Sequence, residues 1–191
     1  MSTSEGLPII GHLASEFYLW LWWASEAREN LFDLGPDVGQ VTLWVDDRLA
    51  FRNANDLRAT AVLTGEAPAS TLEAKAALRG GKVLHELRIG MRRDEREHFL
   101  TLSGPSMDVK QLKLPAFGEG EEGLVYDRMF LYEEVCYVLA ALFNEFAAVR
   151  VSEDWETTVV PQLATWCRGD GPDTEALAPV TGTRYEGAPR A

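Results

Sequence analysis

Several kinds of residue are scarce in this chain of 191 amino acids, and each scarcity removes a class of function. There are only 2 cysteines, Cys136 and Cys167, too few for a disulfide framework, so a reducing cytoplasm is the expected compartment. There are only 3 histidines, His12, His85 and His98, and none stands at metal-ligand spacing from another His or Cys. The longest apolar run, Phe17 to Ala24, is far short of the roughly 20 residues that span a bilayer. Met1 to Gly6 holds no basic stretch, and no cleavage-like site follows an apolar one, so no secretory signal is expected. Basic residues are also outnumbered, 18 against 30 acidic, for a net charge of −12.

The positive charge that exists is concentrated. Residues 1–81 carry a net −5 and residues 115–191 a net −9, whereas residues 82–114 carry +2. Within that block lie Lys82, Arg88, Arg92, Arg93, Arg96, Lys110 and Lys113. Lys82, Arg88 and Arg92 share parity along one predicted strand and could project from one face. Such a row either tracks a phosphate backbone or is the solvated face of a half-buried sheet, neutralised by Glu86, Glu95, Glu97 and Asp108.

The pattern along the chain predicts an α+β fold. Leu13 to Arg28 reads as a helix, and Phe17, Tyr18, Trp20, Trp22 and Trp23 fall all round its wheel. Both faces therefore want burial, either by the chain itself or with one face against a partner subunit. Val41 to Val45 and Arg48 to Arg52 read as strands joined by a turn at Asp46-Asp47, with a third strand over Arg58 to Thr64. Ser70 with Glu73 forms a capping-box pattern before a short helix from Leu72 to Arg79, ended by Gly80-Gly81. From Lys82 the period changes to two. A charged turn at Arg93 to Arg96 leads to a strand over His98 to Ser103, and Gly104-Pro105 leads to Met107–Leu114, whose broken alternation predicts a bulge or an edge strand.

Pro115 to Gly123 reads as a loop. Leu124 to Val149 is the longest predicted helix, with a stripe of Met129, Leu131, Val135, Val138, Leu139, Leu142, Phe143 and Phe146. Ser152 is a candidate cap for a last helix through Trp155, Val159, Leu163 and Trp166. These elements make antiparallel sheet packed by an N-terminal aromatic helix, a short middle helix and a long C-terminal helical segment. One domain spans 1–168, and the Gly, Pro, Thr and Asp composition of 169–191 predicts a disordered tail.

No catalytic constellation emerges. Gly118 to Gly123 matches GxGxxG in letters, but its three glutamates would repel a pyrophosphate. Gly80-Gly81-Lys82 lacks the rest of a phosphate loop. His85 and His98 could face one another across a hairpin as ordinary strand neighbours. Cys136, between Val135 and Tyr137-Val138, reads as a small buried core residue. The carboxylate pairs Asp46-Asp47, Glu121-Glu122 and Glu133-Glu134 are sequence neighbours that point apart. No enzyme, cofactor or metal is expected.

The stretch Leu72 to Leu114 resembles the C-terminal part of the recombination-associated protein RdgC family. The likeness lies in Glu73, Gly81-Lys82-Val83, Leu87, Phe99-Leu100 and Leu112-Lys113-Leu114, joined by the aromatic start Glu16 to Glu26 and the segment Val41 to Phe51. It covers roughly residues 10–168, by order of elements more than by identity. The resemblance implies a nucleoid-associated, non-enzymatic protein that binds double-stranded DNA without sequence preference, associates as a dimer and restrains RecA-dependent recombination. On that reading Lys82, Arg88, Arg92, Arg93, Lys110 and Lys113 hold phosphates, and Phe17, Trp20, Trp22 and Trp23 form the oligomer or partner interface. The alternative is a protein-interaction module derived from the same fold that has lost DNA binding and docks a protein partner through the aromatic helix or the acidic tail. Whether the basic residues converge on one surface or scatter among carboxylates separates the two.

Overall fold

A computed structural model describes residues 13–53, 60–115 and 121–169, with side chains in the last segment from residue 125. Helix α1 (Leu13–Ala27) leads into strands β1 (Leu31–Asp33), β2 (Gln40–Asn53) and β3 (Thr60–Thr64). A single 3-10 turn at Pro68–Ser70 precedes helix α2 (Leu72–Arg79). Strands β4 (Lys82–Arg93), β5 (Arg96–Ser103) and β6 (Asp108–Lys113) follow, then helix α3 (Glu121–Arg150). A π-helical turn at Trp155–Val159 runs into helix α4 (Val160–Arg168). The fold is α+β: a 6-stranded antiparallel sheet with main order β1-β2-β4-β5-β6, and β3 also paired to β2.

Three bulges decide where the charged residues sit. Along β2, Val45 opposes Ile89 and Leu49 opposes Leu87, so the chain bows out over Asp46 to Arg48. The expected turn at Asp46-Asp47 is instead this bulge inside one 14-residue strand. On β4, Ala50 faces Glu86 and Phe51 faces Leu84, leaving His85 as an extra residue. That extra residue flips parity, so Lys82 does not share a face with Arg88 and Arg92 as the sequence suggested. The third bulge lies in β6, where Gln111 adopts a left-handed backbone with φ 52°.

Leu84, Leu87, Ile89, Met91, His98, Leu100 and Leu102 point to the core face of the sheet, and all are buried. Helix α1 packs across β2 and β4 on this face. Every one of Phe17, Tyr18, Trp20, Trp22 and Trp23 is buried at 3% exposure or less. The expected partner interface at Phe17, Trp20, Trp22 and Trp23 is therefore corrected: the chain itself covers both faces of α1. Phe17 and Trp20 meet Phe146 of α3, and Trp22 meets Trp166 of α4 edge-on at 4.8 Å. Glu26 ties this end of the core together. Its carboxylate accepts from Trp22 Nε1 at 2.8 Å, from Trp166 Nε1 at 2.6 Å and from Lys75 Nζ at 3.3 Å.

Helix caps differ in detail from expectation. Thr71, not Ser70, caps α2, accepting from the Ala74 amide at 3.3 Å. Ser152 donates back to the Val149 carbonyl and so closes α3 rather than opening α4. Helix α3 begins at Glu121, so the expected loop ends earlier. The predicted break before β3 and the predicted tail beyond Gly169 lie outside the described residues.

Candidate functional site

Two surfaces are candidates: the outer face of the sheet, where the predicted phosphate-binding residues fall, and the outer face of α3.

On the sheet, the bulge in β2 brings two carboxylates to one guanidinium. Arg88 Nε lies 2.8 Å from Asp46 and 3.1 Å from Asp47, and its Nη1 donates to Gln111 Oε1 at 3.3 Å. Arg88 is only 8% exposed, so little of its charge is offered to a ligand. Gln111 also accepts from Thr101. Beside this group Glu86 takes Arg48 at 3.4 Å and the Ser103 hydroxyl at 3.0 Å, while Lys110 donates to the same Ser103 at 2.9 Å. Trp44 lies across Gly90 and meets Phe99 edge-on at 5.8 Å. A Cβ at residue 90 would fall inside the Trp44 indole, so the glycine is what lets the ring lie flat.

The rest of the basic set scatters. Arg92 stays on the outer face, opposite Glu97 and 3.8 Å from its carboxylate. The shallow cleft of ≈ 610 Å³ around it includes Asp94, Glu95 and Glu97, a lining that repels phosphate. Arg93 turns to the core side and reaches Glu134 of α3 at 3.4 Å. Lys82 opens β4 opposite Asn53, and exposed Lys113 ends β6 opposite Phe99. The six residues do not form one cationic surface. The sequence showed the charges, but not the bulges that deliver carboxylates to them.

Helix α3 carries the larger surprise. Its buried seam is Leu131, Val135, Val138, Leu142 and Phe146, as the spacing predicted, but Met129 belongs to the opposite face. Val125, Tyr126, Met129, Phe130, Tyr132 and Tyr137 are 54–77% exposed, and Cys136 beside them is exposed rather than in the core. Cys167 is the buried one, its thiol pushed up to about 12 by burial. Scattered exposed apolar residues are ordinary on a protein surface, but a contiguous run on one helix is the signature of an interaction site. Tyr126 and Phe130, four residues apart, with Tyr137 seven further on, carried this signal in the sequence.

An ionic cluster seats the projecting half of α3 on the β4–β5 hairpin. Arg96 reaches the buried Glu134 at 2.7 Å, and its guanidinium lies 5.7 Å from the Phe130 ring centre. His98 Nε2 stands 3.3 Å from the other Glu134 oxygen. Burial lowers the His98 pKa below its ordinary value, with Arg96 acting in the same direction and Glu134 opposing. His85 does not face His98: His98 opposes Met91, and His85 sits in its bulge near Gly104.

Among the described residues no group of His, Cys, Asp and Glu could hold a metal ion, and no single helix is long and apolar enough to cross a membrane. No family model, curated protein or solved structure matches the chain.

Proposed function

We propose that the chain is a non-catalytic protein-interaction module, and that it docks a protein through the outer face of the N-terminal half of α3. The observation that carries this reading is the continuous exposed run of Val125, Tyr126, Met129, Phe130, Tyr132 and Tyr137 on a helix already anchored by its other face. Tyrosine, phenylalanine and methionine are the residues enriched at interface cores, while charged residues are depleted there. Pairing of Arg88, Arg92 and Arg93 with carboxylates supports it further, since a nucleic-acid surface needs cations free to displace counterions.

A photo-crosslinking amino acid placed at Tyr126 or Tyr137, in cells that make the chain, should give protein adducts. The same group at Arg48, on the outer sheet face, should give none. Adducts from the sheet position alone would overturn the assignment.

The RdgC-like order of elements between Leu72 and Leu114 favours a second reading, sequence-nonspecific binding of double-stranded DNA, and with it antagonism of RecA. On that reading Lys110 and Lys113 on β6 supply the remaining exposed cations. Anisotropy of a labelled duplex, titrated at low and moderate salt, decides it. Binding that weakens steeply with salt and with Lys110→Glu plus Lys113→Glu would establish the second reading; no binding at low salt leaves the first.

A further inference from the structure

We infer that the contact between α3 and the β4–β5 hairpin is an acid-released latch, in which a proton taken up by His98 frees the first half of α3 while the sheet stays folded. Such a latch is independent of what the outer face of α3 meets.

His98 points to the core face of β5 and is 1% exposed, beside Glu134, itself only 4% exposed. Its Nε2 faces the Glu134 carboxylate at 3.3 Å, which places the single N–H of the neutral ring there. Nδ1 is buried with no hydrogen-bond partner among the described residues. A second proton must therefore go to Nδ1, where it makes a buried donor without an acceptor. Charge opposes that proton as well. Glu134 already receives Arg96 at 2.7 Å and Arg93 at 3.4 Å, so protonation sets three cations round one buried carboxylate. Asp94, in the hairpin turn, lies 3.7 Å from Arg96 but is largely in water and offsets little. Asp127, two turns before Glu134 on α3, makes no ion pair among the described residues, and Met91 opposite His98 on β4 is apolar. The lowered pKa of His98 agrees: burial is its main cause, with Arg96 adding and Glu134 opposing.

Both costs vanish once water reaches the ring, and the element able to admit it is α3. Strand β5 is held between β4 and β6. The first half of α3 is held by one seam, Leu131 to Val138, with its other side exposed. Its ion pairs to the hairpin, among the described residues, all end on Glu134. A segment so thinly attached opens at lower cost than the whole fold. The second half of α3 keeps its own hold on α1, through Phe146 against Phe17 and Trp20 and through Arg150 on Glu16 at 2.7 Å. Tyr126 and Phe130 belong to the half that lifts, so acid changes how their face is presented.

Hydrogen exchange of the full chain at about pH 7.5 and about pH 5.5, each read against the unstructured rate at that pH, tests this. The lower value lies below the ordinary histidine pKa of ~6.5 and above the ~4.3 of glutamate, so His98 is challenged while Glu134 stays ionised. Protection of residues 125–137 should fall by up to about tenfold, the ratio that one pH unit below the ordinary pKa allows, while α1, β2 and β4 keep theirs. His98→Gln and His98→Phe should each remove the change in α3. Equal protection at the two pH values, the same loss in both variants, or a loss shared equally by β4 overturns the latch. Nitrogen NMR of the unmodified chain adds a readout that needs no variant. The ring should be neutral with its proton on Nε2 at about pH 7.5, and a charged ring at about pH 5.5 beneath a fully protected α3 also overturns the latch.

Discussion

Helices α1 and α3 are the two aromatic-rich helices of this protein, and they meet opposite fates. Around α1, the sheet on one side and α3 and α4 on the other leave none of its tryptophans more than 1% exposed. Around the first half of α3, only the seam from Leu131 to Val138 finds a partner, and the rings of Tyr126, Phe130, Tyr132 and Tyr137 stay in solvent. Aromatic content alone therefore says that a helix wants covering, not by what. What covers α1 arrives from β2, β4, α3 and α4 of its own chain, whereas the rings on the outer face of α3 stay more than half exposed, with the Arg96 guanidinium beside Phe130.

That contrast can be broken from the α1 side first. Trp23→Ala removes a fully buried indole and should cost about 3–5 kcal/mol of stability, read as a fall in the urea midpoint. Glu134→Ala comes next. It strips Arg93, Arg96 and His98 of their shared carboxylate and should cost about 1–3 kcal/mol, limited by the partial hydration of both arginines. Faster amide exchange in the first turns of α3 should accompany it.

A smaller effect depends on pH. His98 has a native pKa below the unfolded value of ~6.5, so at lower pH the unfolded chain binds a proton that the native chain resists. The His98 contribution is therefore fully present above about pH 6.5 and declines as pH falls below it. Urea midpoints at about pH 7.5 and about pH 5.5 should differ, and His98→Phe should flatten that part of the slope. The smallest expected effect is the most telling: Tyr137→Ser should leave stability within about 0.5 kcal/mol, as for a surface position. A loss comparable to that of Trp23→Ala would show that the α3 face is covered within the chain and erase the contrast.

Most elements were legible from pattern. The bounds of α2, the β4–β5 hairpin and the bulged β6 follow from caps, alternation and turn residues, because those signals are local. The strand pairings that bow β2 at Asp46 to Arg48 and lodge His85 as an extra residue were not legible, because a bulge is set by its neighbouring strand. That single gap misplaced the site. It hid the two aspartates around Arg88, and it gave Lys82 a face it does not share. On α3, counting Met129 with the core and leaving the tyrosines uncounted concealed the second stripe, since tyrosine has an apolar body and a polar tip.

Glu26 has a consequence for how the chain is made. Its carboxylate receives the indole N–H of Trp166, a bond spanning 140 residues of sequence. At about 5–20 residues per second of synthesis, the α1 tryptophans wait on the order of ten seconds for α4 to emerge. During that interval a helix built to be covered on every side has only part of its cover. Until α4 emerges, Glu26 lacks the Trp166 indole N–H and the Trp22 end of α1 lacks the ring that meets it edge-on.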